Sequence, residues 1–96
     1  MEFSSDKVKF TVPDRPTVRQ QMRWFGAVSG GDRAEIYARY WDAAKTLIDK
    51  WECTEIPDYK IDIDEATNPS QTHIMIWAGL QVLEFMNNLE DIPKNS

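Results

Sequence analysis

Polar and apolar positions alternate near the amino end of the chain. In Lys7-Val-Lys-Phe-Thr-Val12 the apolar Val8, Phe10 and Val12 fall on one side, and Pro13 closes the segment. A period of two predicts a short strand over 7–12. One strand cannot pair its own backbone groups, so it requires a neighbour: either Tyr59–Ile63 or a strand from another copy of the chain. The period then lengthens. Asp14-Arg-Pro-Thr offers caps and a first-turn proline, Val18, Met22, Phe25 and Val28 recur at helical spacing, and Gly30-Gly31 suits a left-handed stop. This predicts a helix over 16–29 with those four residues turned inward.

From 32 to 51 the helical pattern is the strongest in the chain. Ile36, Tyr40, Ala44, Leu47 and Trp51 form one stripe, widened by Tyr37, Trp41, Ala43 and Ile48, against a charged face of Glu35, Arg39, Asp42, Lys45, Asp49 and Lys50. Residues 52–69 break the regularity with six acids (Glu52, Glu55, Asp58, Asp62, Asp64, Glu65) and one base, Lys60. This acidic connection is long for a compact domain, and the alternation of Ile61 and Ile63 with Asp62 and Asp64 suits a short edge strand. A final helix is predicted over 70–89, capped by Asn68 or Ser70, ahead of a polar tail at 90–96. The expected fold is therefore one mainly α domain spanning 1–96, with three helices, a short N-terminal β segment and a small β pairing with 59–63.

The last helix carries an imbalance. Between Ile74 and Met86 only Gln81 and Glu84 are clearly polar, and a helix apolar nearly all round must be wrapped by its domain or by another chain. Two other helices offer too little cover, so a partner is expected. Trp77, Phe85 and Met86 on that helix, with Trp24 beside the main stripe of the first, are the candidate contacts. Tryptophan is also common among residues that carry binding energy.

Composition narrows the class. The chain has 96 residues, 42% hydrophobic and 11% aromatic, which fits one folded domain and excludes a disordered chain. The net charge of −5 is uneven: nine Lys/Arg against seven Asp/Glu in residues 1–50, and two against nine in 51–96. That balance disfavours nucleic acid, leaving Arg15, Arg19, Arg23 and Arg33 as the only basic strip. A single cysteine, Cys53, has no internal disulfide partner and suits a reducing compartment. The amino end lacks the basic-then-apolar pattern of a secretory signal. The longest apolar run, Ile74–Leu80, falls far short of the ~20 residues that cross a bilayer. A soluble cytoplasmic protein with no membrane partner is expected.

No chemical constellation emerges. The only histidine, His73, and the only cysteine, Cys53, stand on either side of the acidic connection, and a zinc site needs more ligands than this pair. Asp58, Asp62, Asp64 and Glu65 lack the turn glycine and the terminal bidentate acid of a calcium loop. They read as a solvated patch or as a partner-facing one. Gly30-Gly31 has no phosphate-loop pattern around it. The expectation is a protein with no catalytic residue, no metal and no cofactor.

The strings Pro-Thr-Val-Arg-Gln-Gln-Met (16–22), Tyr-Trp-Asp-Ala-Ala-Lys-Thr-Leu-Ile (40–48), Trp51-Glu-Cys and Ile-Trp-Ala-Gly-Leu (76–80) bring in a family. Together with the strand ahead of them, they make the chain resemble the small tail assembly chaperones of long-tailed bacteriophages, over residues 7–94. That resemblance implies a non-enzymatic protein of the host cytoplasm that coats the tape measure protein, recruits tail tube subunits and leaves the finished virion. It also implies a homo-oligomer, the copies lying along an extended client. The alternative is a small acidic inhibitor of a host nuclease or defence complex, acting through the clustered acids.

Overall fold

The structure, a computed structural model, describes residues 1–30 and 35–91, with side chains described through residue 89. Its elements in chain order are β1 (Glu2–Ser4), β2 (Val8–Thr11), α1 (Val18–Ser29), α2 (Ile36–Lys45), β3 (Lys50–Cys53), a short 3-10 turn (Ile63–Glu65) and α3 (Pro69–Asp91). This corrects the mainly α expectation. The molecule is a small α+β domain in which three helices pack with a three-stranded antiparallel sheet of order β1-β2-β3.

Two of the strands were hidden from the pattern for different reasons. β1 has only three residues, too few to show a period. β3 straddles the expected end of the second helix at 51 and the start of the acidic connection at 52, where Leu47 and Trp51 are four residues apart and imitate a helical stripe. Locally, Lys50-Trp51-Glu52-Cys53 alternates as a strand does. The helix stops at Lys45 because Thr46 turns back on it: its N–H donates to the Ala43 carbonyl at 3.1 Å and its hydroxyl to the same oxygen at 2.6 Å. The Asp49 N–H then donates to the Thr11 carbonyl at 2.8 Å, and the chain joins β2. Tyr59–Ile63 is not a strand and pairs with nothing in the sheet.

The register sorts the side chains cleanly. Phe3 stands opposite Phe10, Phe10 opposite Trp51 and Val8 opposite Cys53, which places these apolar groups on one face. Glu2, Ser4, Lys9, Thr11, Lys50 and Glu52 take the other face, where Lys9 approaches Glu2 at 3.8 Å. α3 lies on the apolar face. Trp77 meets Phe10 edge-on at 5.9 Å between ring centroids, and Phe85 meets Phe3 edge-on at 6.2 Å.

On its other side α3 packs against α2, and Gly79 sets how closely. A Cβ at Gly79 would stand 3.0 Å from the carbonyl carbon of Tyr40 and 3.1 Å from the nitrogen of Trp41, both backbone atoms that cannot move aside cheaply. Met75, Ala78 and Val82 are fully buried between sheet and helix. The sheet therefore adds cover that two helices alone lack, burying Ile74, Met75, Ala78, Val82 and Met86 and leaving Ile76, Trp77, Leu83 and Phe85 half-buried. Only Leu80 remains exposed among its large apolar side chains.

α1 is the outermost element and packs on α2. Thr17 caps it in a reciprocal box: the Gln20 N–H donates to the Thr17 hydroxyl at 3.1 Å and the Thr17 N–H to the Gln20 side chain at 2.8 Å. Gly30 is the C-cap of α1 with φ 165°, and Gly31, the other half of the expected left-handed stop, lies outside the described residues. The residues expected to open the second helix at 32–34 and the tail from 92 onward lie outside the described residues. α3 starts at Pro69, where proline needs no helical partner for its nitrogen, and Asn68 caps it by accepting the Gln71 N–H at 3.0 Å.

Candidate functional site

The acidic connection is pinned to the core. Trp41 Nε1 donates to the Ile61 carbonyl at 3.0 Å, Lys45 Nζ to the same carbonyl at 2.9 Å, Trp51 Nε1 to the Ile56 carbonyl at 2.6 Å and the Tyr59 hydroxyl to the Ile48 carbonyl at 3.3 Å. Ile56 is buried beneath them. Aromatic donors thus satisfy carbonyls that a chain crossing the core would otherwise leave unpaired.

Several of its acids act on their own backbone. The Asp64 N–H donates to Asp62 at 2.9 Å, the Asp62 N–H to Glu65 at 3.2 Å and the Lys60 N–H to Asp58 at 2.9 Å. Asp62 and Glu65 form a capping box for the 3-10 turn. Of the acidic patch, the Asp58, Asp62 and Glu65 carboxylates therefore brace the backbone of the connection, and Asp64 lies exposed in the 3-10 turn. Among the described residues no three His, Cys, Asp or Glu side chains converge as metal ligands would.

His73 lies in the first turns of α3, in a shallow groove of about 250 Å³ between that helix and the β1–β2 turn. Ser5, Asp6, Lys7 and Ser70 rim the groove, and Val8, Ile74 and Trp77 give it an apolar floor. Lys7 Nζ donates to the Ser70 hydroxyl at 3.0 Å, and Ser70 donates to the carboxylate of Glu55. Lys7 also stands 4.0 Å from Glu55. Cys53 is not part of that groove.

The four aromatic and apolar residues expected at a partner surface have internal contacts. Trp24 is only 2% exposed and meets Phe25 edge-on at 5.2 Å. Met86 is buried, and Trp77 and Phe85 are half-buried against the sheet. Trp77 also lines the groove beside His73.

The exposed apolar surface lies elsewhere, on α1. Val18 is 71% exposed, Met22 68% and Phe25 46%, although their spacing reads as a core face. α1 turns its other side inward: Trp24 is buried, with Ala27, Val28, Gln20 and Gln21 half-buried beside it. A helix that contacts one neighbour buries one face, and the face holding the tryptophan removes the most surface from water. Ile36 and Tyr37, at the start of α2, add two more large exposed side chains. Covering a side chain of this size contributes about 1.5–3 kcal/mol, so the row on α1 is an open reserve of binding energy.

Charge accompanies the row. Arg15, Arg19 and Arg23 are exposed, and residues 15–31 contain no acid. Asp14, just ahead of them, is held by the amino-terminal ammonium, which hydrogen-bonds its carboxylate and keeps it below the usual carboxylate range. A shallow depression of about 590 Å³ lies along Val18, Arg19, Met22 and Arg23. The sequence held a sign of this arrangement: a tryptophan flanked by Ala27 and Val28 competes as a buried face with the longer stripe Val18-Met22-Phe25.

Comparison of the chain with models of protein families, with curated proteins and with solved structures finds no match. No described helix is long and apolar enough to cross a membrane.

Proposed function

We propose that this protein is a non-enzymatic assembly chaperone of the kind that serves phage tails, holding a helical client such as the tape measure protein in the host cytoplasm. The observation that carries the reading is the exposed row Val18-Met22-Phe25 on α1, with Ile36 and Tyr37 also exposed at the head of α2. An amphipathic client helix is bound through apolar side chains at helical spacing, and this row has that spacing. The resemblance to tail assembly chaperones read from the sequence agrees with the same proposal. Two short sheet edges, β1 and β3, allow copies to associate along an extended client. The alternative, an acidic inhibitor, would act through the exposed Asp58, Asp64 and Glu65, of which Asp58 and Glu65 also accept backbone N–H groups of the connection.

Co-expression with the tape measure protein of the same genome tests the proposal. The wild-type chain should keep that protein soluble, and Met22→Glu with Phe25→Glu should remove the effect. A tape measure protein whose solubility is the same with and without the chain refutes the role.

A further inference from the structure

The two mid-helix glycines of the molecule differ in a way that bears on α1. Glycine inside a helix costs roughly 0.5–1 kcal/mol relative to alanine, so each asks for a reason. Gly79 has one: a Cβ there would strike the α2 backbone at 3.0 Å. Gly26 is exposed, and a Cβ there would meet nothing within 4 Å. Its backbone has ordinary helical dihedrals and lies in no turn. Nothing inside the molecule requires a missing side chain at Gly26.

Its position suggests an outside reason. At 100° per residue Gly26 falls between Met22 and Arg19 on the wheel, in the exposed sector that also holds Val18, Ser29 and Arg23. Gly26 and Ser29 make a low place beside the apolar row, where another helix can approach as closely as α2 approaches α3 at Gly79. The arginines decide the sign of what approaches. A symmetric contact between copies would set this basic face against itself, since a two-fold interface brings the same patch together. A membrane surface of anionic lipid would attract Arg19 and Arg23 but repel a protein of net charge −5.

We propose that the exposed face of α1 is a docking site for a helix of another protein, crossing at Gly26 with its apolar ridge on Val18, Met22 and Phe25 and its acidic flank on Arg19 and Arg23. This deepens the assembly role and rests on it for the identity of the client.

The test uses two synthetic amphipathic helices of about 20 residues, alike in a Leu/Ala face and differing in Glu or Lys at the flanking positions, titrated against the full chain. The Glu peptide should bind at least about tenfold more tightly than its Lys twin. Arg19→Glu with Arg23→Glu should reverse that preference. Gly26→Leu should weaken the Glu peptide about tenfold or more, and Gly26→Ala should raise Tm by about 4 °C. Equal binding of the two peptides overturns the proposal, as does a fall in Tm on Gly26→Ala, which would give the glycine an internal role. Binding to phosphatidylglycerol vesicles without peptide preference also overturns it in favour of a membrane, and a wild-type dimer abolished by Gly26→Leu does so in favour of self-contact. If the tape measure protein stays soluble equally well with Arg19→Glu/Arg23→Glu, this surface fails and the assembly role stands. If the Glu peptide binds as expected but the tape measure protein is not solubilised, the surface stands and the assembly role fails.

Discussion

α1 and α3 make opposite use of their apolar residues. α3 is the more hydrophobic helix, and nearly all of that character is spent inside the domain: the sheet covers Trp77 and Phe85, α2 closes against Gly79, and Met75 and Val82 lose all contact with water. α1 is amphipathic, yet it leaves Val18, Met22 and Phe25 in solvent and turns Trp24 inward. Apolar content therefore does not locate the exposed apolar surface. What counts is whether the fold supplies a neighbour, and the Val18-Met22-Phe25 side of α1 stays exposed.

Substitutions of the same chemistry in the two helices should separate them most widely. Met75→Ala removes a fully buried side chain and should destabilise the fold by about 2–5 kcal/mol, whereas Met22→Ala should stay within about 0.5 kcal/mol in thermal or urea unfolding. Comparable losses at the two sites would erase the contrast. Gly79→Ala comes next: the forced contact with the Tyr40 backbone should cost about 1–3 kcal/mol, opposite in sign to the gain expected at Gly26.

A smaller effect concerns the lead into α1. The amino-terminal ammonium lowers the folded-state pKa of Asp14, so the pair adds stability above the usual carboxylate range and loses it as pH falls through the lowered value. Asp14 is fully exposed, and Asp14→Asn should bring only a slight drop in Tm at neutral pH, one that vanishes at the acid end of a pH series. A difference that grows toward low pH would contradict that linkage.

The helices were legible in the sequence to the extent that their signals were local. Thr17 and Asn68, among the caps the sequence offered, are the ones the structure uses, and β2 falls within the alternation at 7–12. The sheet was not legible because β3 is a nonlocal decision: Trp51 continues a helical stripe from Leu47, and only pairing with β2 draws Lys50–Cys53 into extended form. The cover that the sheet gives α3 was invisible for the same reason, since Phe3 and Phe10 meet Phe85 and Trp77 only once the strands pair. The face of α1 was misread for a related reason. Its stripe and its tryptophan face are both plausible cores, and periodicity does not say which of them meets α2.

Oxidation of methionines by dilute peroxide, followed by mass spectrometry with and without the tape measure client, tests the central claim most directly. In the free protein Met22, at 68% exposure, should oxidise rapidly while Met75 and Met86 are protected, and the client should then protect Met22. A Met22 as slow as Met75 in the free protein, or one that stays reactive in the complex, would contradict the account.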